Sequence, residues 1–276
     1  MEELFNISEN GFRKITSTVR TAGSLDLIHF EPVLLCHRIE RFMQLHGYAS
    51  PEMLVEKMVR DKSFADFFIE GMRVPTTEMF RDPQMWVELE KNVFPKFKYE
   101  SVVKIWVPDI CGDDELNSLL VILERNNLLQ KSMVYATCGF ERGIEDAKFS
   151  QTDLKKMEIS KENYRNVFGG NGSLEDYFTK RDKVFVFSHQ LSEKAIFLKH
   201  NLMTEAPPDM GFNLILFRNR ALFYSMQARK NCIEKLYQSL IGGGYFIIGI
   251  GETLRGLEQT TSFVPNSKTE NIFKKI

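Results

Sequence analysis

The pattern of apolar and polar residues changes near residue 93. Up to that point apolar residues recur at helical spacing. Ser50-Pro51-Glu52 combines an N-cap, a proline at the first helical position and an acid in the first turn, so a helix is predicted to begin there. Further helices are predicted over 66–71 and from Asp82-Pro83 to just before Pro95. Residues 1–93 are therefore predicted to form an all-helical domain.

Short apolar runs alternate with amphipathic stretches in the rest of the chain. The predicted strands are 102–107, 133–137, 196–198, 212–217 and 245–250, and the predicted helices are 115–127, 141–148 and 226–240. This alternation predicts a mostly parallel sheet that helices cover on both faces. Residues 150–190 interrupt it with a Gly-rich turn (169–172) and an aromatic run (184–187). We interpret them as an inserted subdomain of a few helical turns and a hairpin.

The predicted sheet also indicates where a ligand would bind. In an open parallel sheet, ligands bind outside the carboxyl ends of the strands, at the point where the strand order reverses. The segments that follow the predicted strands are 108–118, 137–141, 200–204 and 218–224. Candidate site residues are expected in these segments.

Charge and cysteine content narrow the class of protein. With 36 Lys or Arg and 37 Asp or Glu in 276 residues, the formal charge is −1, which argues against bulk nucleic-acid binding. No run of about 18 apolar residues predicts a membrane helix, and the acidic, polar first ten residues are unlike a signal peptide. The four cysteines are widely spaced without a CxxC pair, so neither a disulfide framework nor a metal site is expected. These features predict a cytoplasmic protein.

Five segments resemble the chemotaxis-receptor methyltransferase (CheR) family in order and spacing. They are VPTTEMFRDP (74–83), KIWVPDICGDDELNSLL (104–120), HNL (200–202), FRNRALFY (217–224) and GGYFIIGIGE (243–252). The resemblance covers nearly the whole chain. It implies an α/β protein with an all-helical N-terminal domain (1–93) and a class I, Rossmann-like methyltransferase domain (94–276) with a small inserted β-subdomain. The residue pattern predicts the same division by itself.

The resemblance also implies a reaction, since family members transfer a methyl group from S-adenosylmethionine to glutamate side chains of chemoreceptors. A free glutamate has a pKa of about 4.3, so the acceptor is ionised at pH 7 and needs no general base. Arg81 matches the family's arginine at the reaction centre, where it could align a carboxylate; the alternative is an arginine that bridges the two domains. The positions that match the family's cofactor pocket are Thr77, Glu115, Cys138, Asn201, Leu202, Arg218 and Asn219.

Local roles are the alternative for some of these residues, and other positions depart from the family pattern. Asn201 and Asn219 could simply close turns after strands, as asparagines often do. Glu115 could simply stabilise a helix N-terminus, where a negative charge is favourable. In the gap-free alignment Asp109 and Asp113 replace the two glycines of the loop after the first strand, whereas a one-residue shift with compensating gaps would place Gly112-Asp113-Asp114 on the family's G-E-E. Either alignment adds carboxylates near the expected methionine moiety. Cys138 replaces an acid that accepts both ribose hydroxyls, and a thiol is a weak acceptor. Phe223 replaces a tyrosine.

Three hypotheses remain open. The first is an S-adenosylmethionine-dependent O-methyltransferase of protein glutamate side chains in chemotaxis-type signalling. The second is a catalytically impaired methyltransferase-fold scaffold or regulatory binding module, because the departures all fall on one pocket. The third keeps the pocket and changes its ligand. Cys111 and Cys138 could in addition form a redox pair across the pocket, although two unrelated buried thiols are the more ordinary arrangement.

The charge distribution bears on the partner. Residues 1–93 carry 11 Lys or Arg and 15 Asp or Glu, a net charge of −4, which leaves +3 for the remainder. In the family the helical domain presents a basic face to acidic receptor segments, whereas the matching helix here has only Arg38 and Arg41, close to Glu31 and Glu40. Because the domain expected to bind an acidic receptor is itself acidic, we expect a partner that differs from the family's usual one. The partner class stays a chemoreceptor-like or other signalling protein, with no nucleic acid and no membrane insertion.

Overall fold

The computed structural model describes residues 7–22, 27–72, 77–110, 112, 114–255 and 263–276. The chain forms two compact units. Unit 1 comprises residues 1–74 and 220–232, and unit 2 comprises residues 75–219 and 233–276. The domain boundary between residues 93 and 94 stays a prediction, and the helix that follows Asp82 belongs to unit 2.

Four helices build most of unit 1: α1 (Glu9–Ala22), α2 (Pro32–His46), α3 (Pro51–Arg60) and α4 (Lys62–Gly71). The helix start predicted at Ser50 is confirmed, because its hydroxyl accepts the Met53 N–H and Pro51 occupies the first position. The capping residues therefore set the boundary of α3 as the sequence predicts.

An aromatic cluster in unit 1 accounts for part of the unusual phenylalanine content, which is 23 residues. Phe42 on α2 lies at its centre, with its ring centroid 5.0 Å from that of Phe68 and 5.6 Å from that of Phe67. Gly71 leaves room for this ring, since a Cβ there would lie 2.8 Å from the Phe42 ring. Packing of the Phe42 ring thus requires a glycine at the end of α4.

The described residues of unit 2 include ten strands. In chain order they are β1 (Val103–Val107), β2 (Ser132–Cys138), β3 (Gln151–Asp153), β4 (Phe178–Arg181), β5 (Val184–Phe187), β6 (Ala195–Lys199), β7 (Phe212–Leu216), β8 (Leu240–Ile247), β9 (Phe263–Pro265) and β10 (Ile272–Lys275). Seven form one sheet in the order β6-β2-β1-β7-β8-β10-β9, with the first five parallel and β10 and β9 antiparallel. The strand order reverses between β1 and β7, which makes that position the topological switch point.

The remaining helices are α5 (Pro83–Glu88), α6 (Phe94–Phe97), α7 (Asp114–Arg125), α8 (Glu141–Lys148), α9 (Leu154–Phe168), α10 (His189–Ser192) and α11 (Met226–Ser239), which runs from unit 1 into unit 2. Every residue of β7 is buried, as expected for a parallel strand covered on both faces. The predicted α/β class with a helical N-terminal region and a mostly parallel sheet is confirmed.

The predicted insertion is a three-stranded antiparallel sheet, β3-β5-β4, together with α9. The helix is longer than the few turns predicted, with 15 residues between the Asp153 cap and Gly169. Gly169 ends it at φ +60, the left-handed conformation that glycine adopts without steric cost. The Gly-rich segment is therefore a helix stop followed by the hairpin.

Several other predicted boundaries are wrong. The helix predicted over 66–71 begins at Lys62, and the strand predicted over 245–250 ends at Ile247. The helix expected to end before Pro95 continues to Phe97 through a π-helical turn, Leu89–Val93; Pro95 falls in the first turn of α6, where a missing N–H costs nothing. The last parallel strand begins at Leu240 rather than Tyr245, since residues 242–244 form an irregularity within β8. A Cβ at Gly244 would lie 3.0 Å from two backbone oxygens, so close backbone contact requires this glycine.

Within the described ranges, none of the helices combines the length and the apolar character needed to span a bilayer. The same part of the chain contains no group of three or more His, Cys, Asp or Glu side chains arranged to hold a metal ion.

Candidate functional site

The segments after β1, β2, β6 and β7 lie at the carboxyl edge of the parallel strands, which includes the topological switch point. All eight predicted site residues belong to unit 2: Thr77, Arg81, Glu115, Cys138, Asn201, Leu202, Arg218 and Asn219. Six of them are on or next to the four segments, and Thr77 and Arg81 precede α5. The structure arranges them in two groups and a connecting turn.

Arg218 is the centre of a buried ion-pair cluster. Its side chain is 3% exposed; Nη2 lies 2.5 Å from Asp82 Oδ2, and Nη1 lies 3.1 Å from Glu115 Oε1. Nη2 also donates a hydrogen bond to the Arg81 carbonyl oxygen at 3.2 Å. The guanidinium thereby joins the segment before α5, the first turn of α7 and the segment after β7. Its Nε, a buried donor, has no acceptor within the described part of the chain.

The segment before α5 has a strained backbone. Phe80 and Asp82 have φ values of +53 and +57, which non-glycine residues rarely adopt. The Phe80 N–H donates to the Ser118 hydroxyl at 2.8 Å, so α7 fixes the segment. Asp82 occupies the N-cap of α5 without forming a capping bond, because its carboxylate pairs with Arg218 instead. Strain of this kind persists only where surrounding contacts over-determine it, and it is frequent at ligand sites.

Arg81 is exposed beside this cluster. Its Nη1 lies 3.4 Å from Thr77 Oγ1, and its carbonyl oxygen accepts hydrogen bonds from Trp86 Nε1 at 3.0 Å and from Arg218. The backbone of Arg81 is therefore held in place while its guanidinium is accessible, which suits a side chain that binds a carboxylate. Thr77, Arg81, Glu115 and Arg218 thus form the first group.

Asn219 forms the connecting turn after β7, with φ +57. Its N–H and that of Gly249 donate to the same carboxylate oxygen of Glu252, at 2.8 and 2.7 Å. A Cβ at Gly249 would overlap Asn219 Oδ1, which explains why glycine occupies that position. Asn271 donates to the carbonyl oxygens of Gly249 and Glu252. The turn after β7 is therefore locked to the turn after β8.

The second group comprises the end of β2 and the segment after β6. Cys138 is fully buried, and its carbonyl oxygen accepts the His200 N–H at 2.8 Å. Asn201 Oδ1 accepts a backbone N–H two residues further on, so this side chain does close a turn. Leu202 is buried, and its carbonyl oxygen accepts a hydrogen bond from Lys235 Nζ.

The loop after β1 is described in part. Asp109 is half-buried and has φ +51, the left-handed conformation that favours the glycine of the family pattern. Asp113 and Cys111 lie outside the described residues, and so does the predicted redox pair of Cys111 with Cys138. The backbone at Asp109 therefore supports the alignment that places this aspartate on the first glycine.

Phe223 belongs to unit 1, where it ends a 3₁₀ turn, Ala221–Phe223. It is half-buried, while the next residue, Tyr224, is 5% exposed. The Tyr224 ring packs edge-to-face on Phe30, with the centroids 5.9 Å apart. The tyrosine therefore has a packing role within unit 1.

The donor set of unit 2 fits the amino-acid end of S-adenosylmethionine. A carboxylate is suited to the exposed Arg81 guanidinium and to Arg218 Nε, which lacks an acceptor among the described residues, and an ammonium group is suited to Glu115. At the position where the family resemblance leads us to expect the ribose, Cys138 is a fully buried thiol, which is only a weak acceptor for two hydroxyls. Recognition of the ribose would have to come from other residues.

Sequence reasoning missed two carboxylates at this site. Asp82 was interpreted only as a helix start, although its place between an arginine and a proline at the family segment was a usable signal. Glu270, just before β10, had no such signal. Burial raises the pKa of Glu270, as do the charges of Asp82 and Glu88, while Arg218 opposes the shift. The electrostatic influence of Asp82 and Arg218 indicates that Glu270 lies near the ion-pair cluster.

The curated relatives of this chain include chemotaxis protein methyltransferases at low identity. The Cher3 protein of Pseudomonas putida is 22% identical over 263 residues, which span 95% of this chain and 96% of that protein. A chemotaxis protein methyltransferase of Listeria monocytogenes is 22% identical over 248 residues, or 89% of this chain and 91% of that protein. One of Borreliella burgdorferi is 20% identical over 279 residues, or 96% of each.

A solved TehB-like SAM-dependent methyltransferase from Corynebacterium glutamicum is similar with a TM-score of 0.37 and 13% identity, over 70% of this chain and 92% of that chain. That similarity is too low to add to the assignment. Residues 75–270 match the family model described as "CheR methyltransferase, SAM binding domain", which is well over half of the chain. On this match, the chain belongs to the CheR family of SAM-dependent methyltransferases.

Proposed function

We propose that the protein transfers a methyl group from S-adenosylmethionine to glutamate side chains of a chemoreceptor-like signalling protein. The observation that carries this proposal is the buried cluster of Arg218, Asp82 and Glu115 at the switch point, next to the exposed guanidinium of Arg81. The cluster supplies groups for an amino-acid carboxylate and ammonium, and Arg81 supplies a second guanidinium for an acceptor carboxylate.

The bound cofactor supplies a methyl group that a sulfonium activates. The residues of this chain have to align an acceptor that is already charged, since free glutamate has a pKa of about 4.3. Arg81 is suited to hold the acceptor carboxylate, because its carbonyl oxygen is fixed by two hydrogen bonds and its side chain contacts Thr77. Catalysis of this kind depends on position, and a displacement of about 1 Å costs roughly 100-fold in rate.

Calorimetric titration with S-adenosylhomocysteine tests the binding part of the proposal. Wild type is expected to bind, and Arg218→Lys to bind more weakly because it loses the planar donor set that reaches Asp82 and Glu115. Arg142→Lys is the matched control, since Arg142 lies on the exposed face of α8. Absence of heat and of a thermal shift at millimolar ligand in wild type would contradict the proposal.

Transfer of labelled methyl groups to receptor fragments tests the substrate. A glutamate methyl ester releases volatile methanol in base, whereas an N-methyl product does not. Arg81→Lys is expected to reduce transfer more than binding of S-adenosylhomocysteine, because Arg81 is assigned to the acceptor. Transfer of a base-stable methyl group would contradict the glutamate assignment.

A second candidate function is a binding module with the same fold. The observation that favours it is Cys138, a fully buried thiol at the position of the ribose-binding acid. This candidate predicts specific binding of a signalling protein together with no affinity for S-adenosylhomocysteine. Methyl transfer by the wild-type protein would rule it out.

A further inference from the structure

Two residues with hydrogen-bond acceptors in their side chains follow the strands on either side of β2, which ends at Cys138. One is Asp109, which follows β1, and β1 pairs with β2 in parallel. The residue after it, Ile110, donates its N–H to the Thr137 carbonyl oxygen at 2.8 Å. This hydrogen bond holds the backbone next to Asp109 against the last residue of β2 before Cys138. The Asp109 side chain is half-buried.

The second acceptor is the imidazole of His200, which follows β6 on the other side of β2. The backbone N–H of His200 donates to the Cys138 carbonyl oxygen at 2.8 Å. The ring nitrogen Nε2 lies 2.8 Å from the Ala206 carbonyl oxygen, and a carbonyl can only accept, so Nε2 carries the proton. Nδ1 is then an acceptor, and it is buried without a donor among the described residues.

Asp109 and His200 act on one another across this corner. Burial lowers the pKa of His200, and the negative charge of Asp109 is among the groups that partly oppose the shift, with Glu205. The His200 ring also packs edge-to-face on Trp106 of β1, with centroids 5.6 Å apart. Asp109 and His200 therefore follow the two strands that neighbour β2, and their side chains are close enough to interact electrostatically.

Resting on the proposed function, we propose that Asp109 and His200 Nδ1 together accept the hydrogen bonds of the two ribose hydroxyls of the cofactor. Each hydroxyl of a vicinal diol needs one acceptor, and a single carboxylate at the end of β2 would provide both. Here Cys138 provides neither, whereas the adjacent strands β1 and β6 each contribute one. The ligand class of this corner is a vicinal diol, such as the sugar of a nucleoside.

Binding of S-adenosylhomocysteine to single variants tests the assignment. Asp109→Asn is expected to weaken binding by about 10- to 100-fold, the range for hydrogen bonds to a charged acceptor. His200→Gln retains a donor for the Ala206 carbonyl oxygen and loses the Nδ1 acceptor, so a loss of about 3- to 10-fold is expected. Asp182→Asn is the matched control, because Asp182 is an exposed aspartate with φ +50 in the β4–β5 turn.

Ligand analogues test the same contacts without a change in the protein. The 2′-deoxy and 3′-deoxy forms of S-adenosylhomocysteine should each bind wild type more weakly than the parent compound. For one of them the loss should largely disappear in Asp109→Asn, and for the other in His200→Gln. If both variants discriminate the deoxy analogues as wild type does, the assignment is wrong even though the protein binds the cofactor.

A rescue variant separates a direct contact from a structural effect. In the Asp109→Asn background, Cys138→Asp restores a carboxylate to the end of β2, and it should recover a large part of the lost affinity. Unchanged binding by Asp109→Asn and His200→Gln overturns this inference alone. Absence of any binding by wild type at millimolar ligand overturns both this inference and the proposed function.

Discussion

Replacement of Arg218 by methionine should destabilise unit 2 strongly. The substitution keeps the apolar length of the side chain and removes the guanidinium that pairs with Asp82 and Glu115. The carboxylates are 23% and 10% exposed, so they would be left as two partly desolvated like charges. In the variant the two carboxylates would repel each other, whereas in wild type the Arg218 guanidinium pairs with both of them.

The magnitude follows from burial. Removal of one partner from a buried ion pair costs about 3–5 kcal/mol, and Arg218, at 3% exposure, belongs to that class. For a unit of this size about 1 kcal/mol shifts the melting temperature by 2–4 °C, so a decrease of roughly 6–20 °C is expected.

Urea unfolding followed by tryptophan fluorescence measures the loss of stability in unit 2, to which Arg218 belongs. The two tryptophans of the chain, Trp86 and Trp106, are both fully buried in unit 2. The control is the neutral triple variant Arg218→Met, Asp82→Asn, Glu115→Gln, which should recover much of the stability because no unpaired charge remains. A loss below about 1 kcal/mol in the single variant, or an equal loss in the triple variant, would refute the reasoning.

Three further predictions concern neighbouring parts of unit 2. Ser118→Ala leaves the Phe80 N–H buried without its acceptor and should cost about 1–3 kcal/mol in urea unfolding; a change within about 0.5 kcal/mol would contradict this. Asp109→Gly should stabilise the fold by about 0.5–1 kcal/mol, since φ is +51, and should weaken nucleoside binding; no gain in melting temperature would show that the conformation is unstrained. A hydrogen bond from Lys104 lowers the pKa of Asp209 to about 2. The stability that the ionised Asp209 contributes is therefore present above pH 4 and is lost as the pH falls from about 4 to 2. Wild type should lose its advantage over Asp209→Asn across that interval in acid unfolding, and a constant difference would disprove the linkage.

The sheet and several helix boundaries could be predicted because local chemistry determines them. The apolar runs that became β2 and β7 are continuous, as buried parallel strands require, and α8 begins and ends where the amphipathic pattern predicts. Ser50 caps α3 through its own side chain. Signals of this kind lie within a few residues of the structure that they specify.

The partners within the site could not be predicted, because they are distant in sequence. Arg218 contacts Asp82 and Glu115 across separations of 136 and 103 residues. A single sequence does not show which residue will form an ion pair with a given charged residue. The prediction that the helix ends before Pro95 failed for a related reason. Pro95, in the first turn of α6, has the same local signature as a helix stop, and only packing decides between the two.

The distribution of backbone strain distinguishes a retained site from a relic of one. The described residues include six non-glycine residues with positive φ, and four of them, Phe80, Asp82, Asp109 and Asn219, lie in the candidate site. The other two, Asn127 and Asp182, lie in turns after a helix and in a hairpin, where asparagine and aspartate are ordinary. Phe80 is a bulky, fully buried side chain in a conformation that costs on the order of 1–3 kcal/mol, and contacts from α7 hold it there. A scaffold that needs only the fold gains nothing from this strain, whereas a ligand site needs Arg81 and Asp82 in fixed positions on either side of one buried arginine. The strained segment therefore favours a protein that still binds a ligand at the switch point.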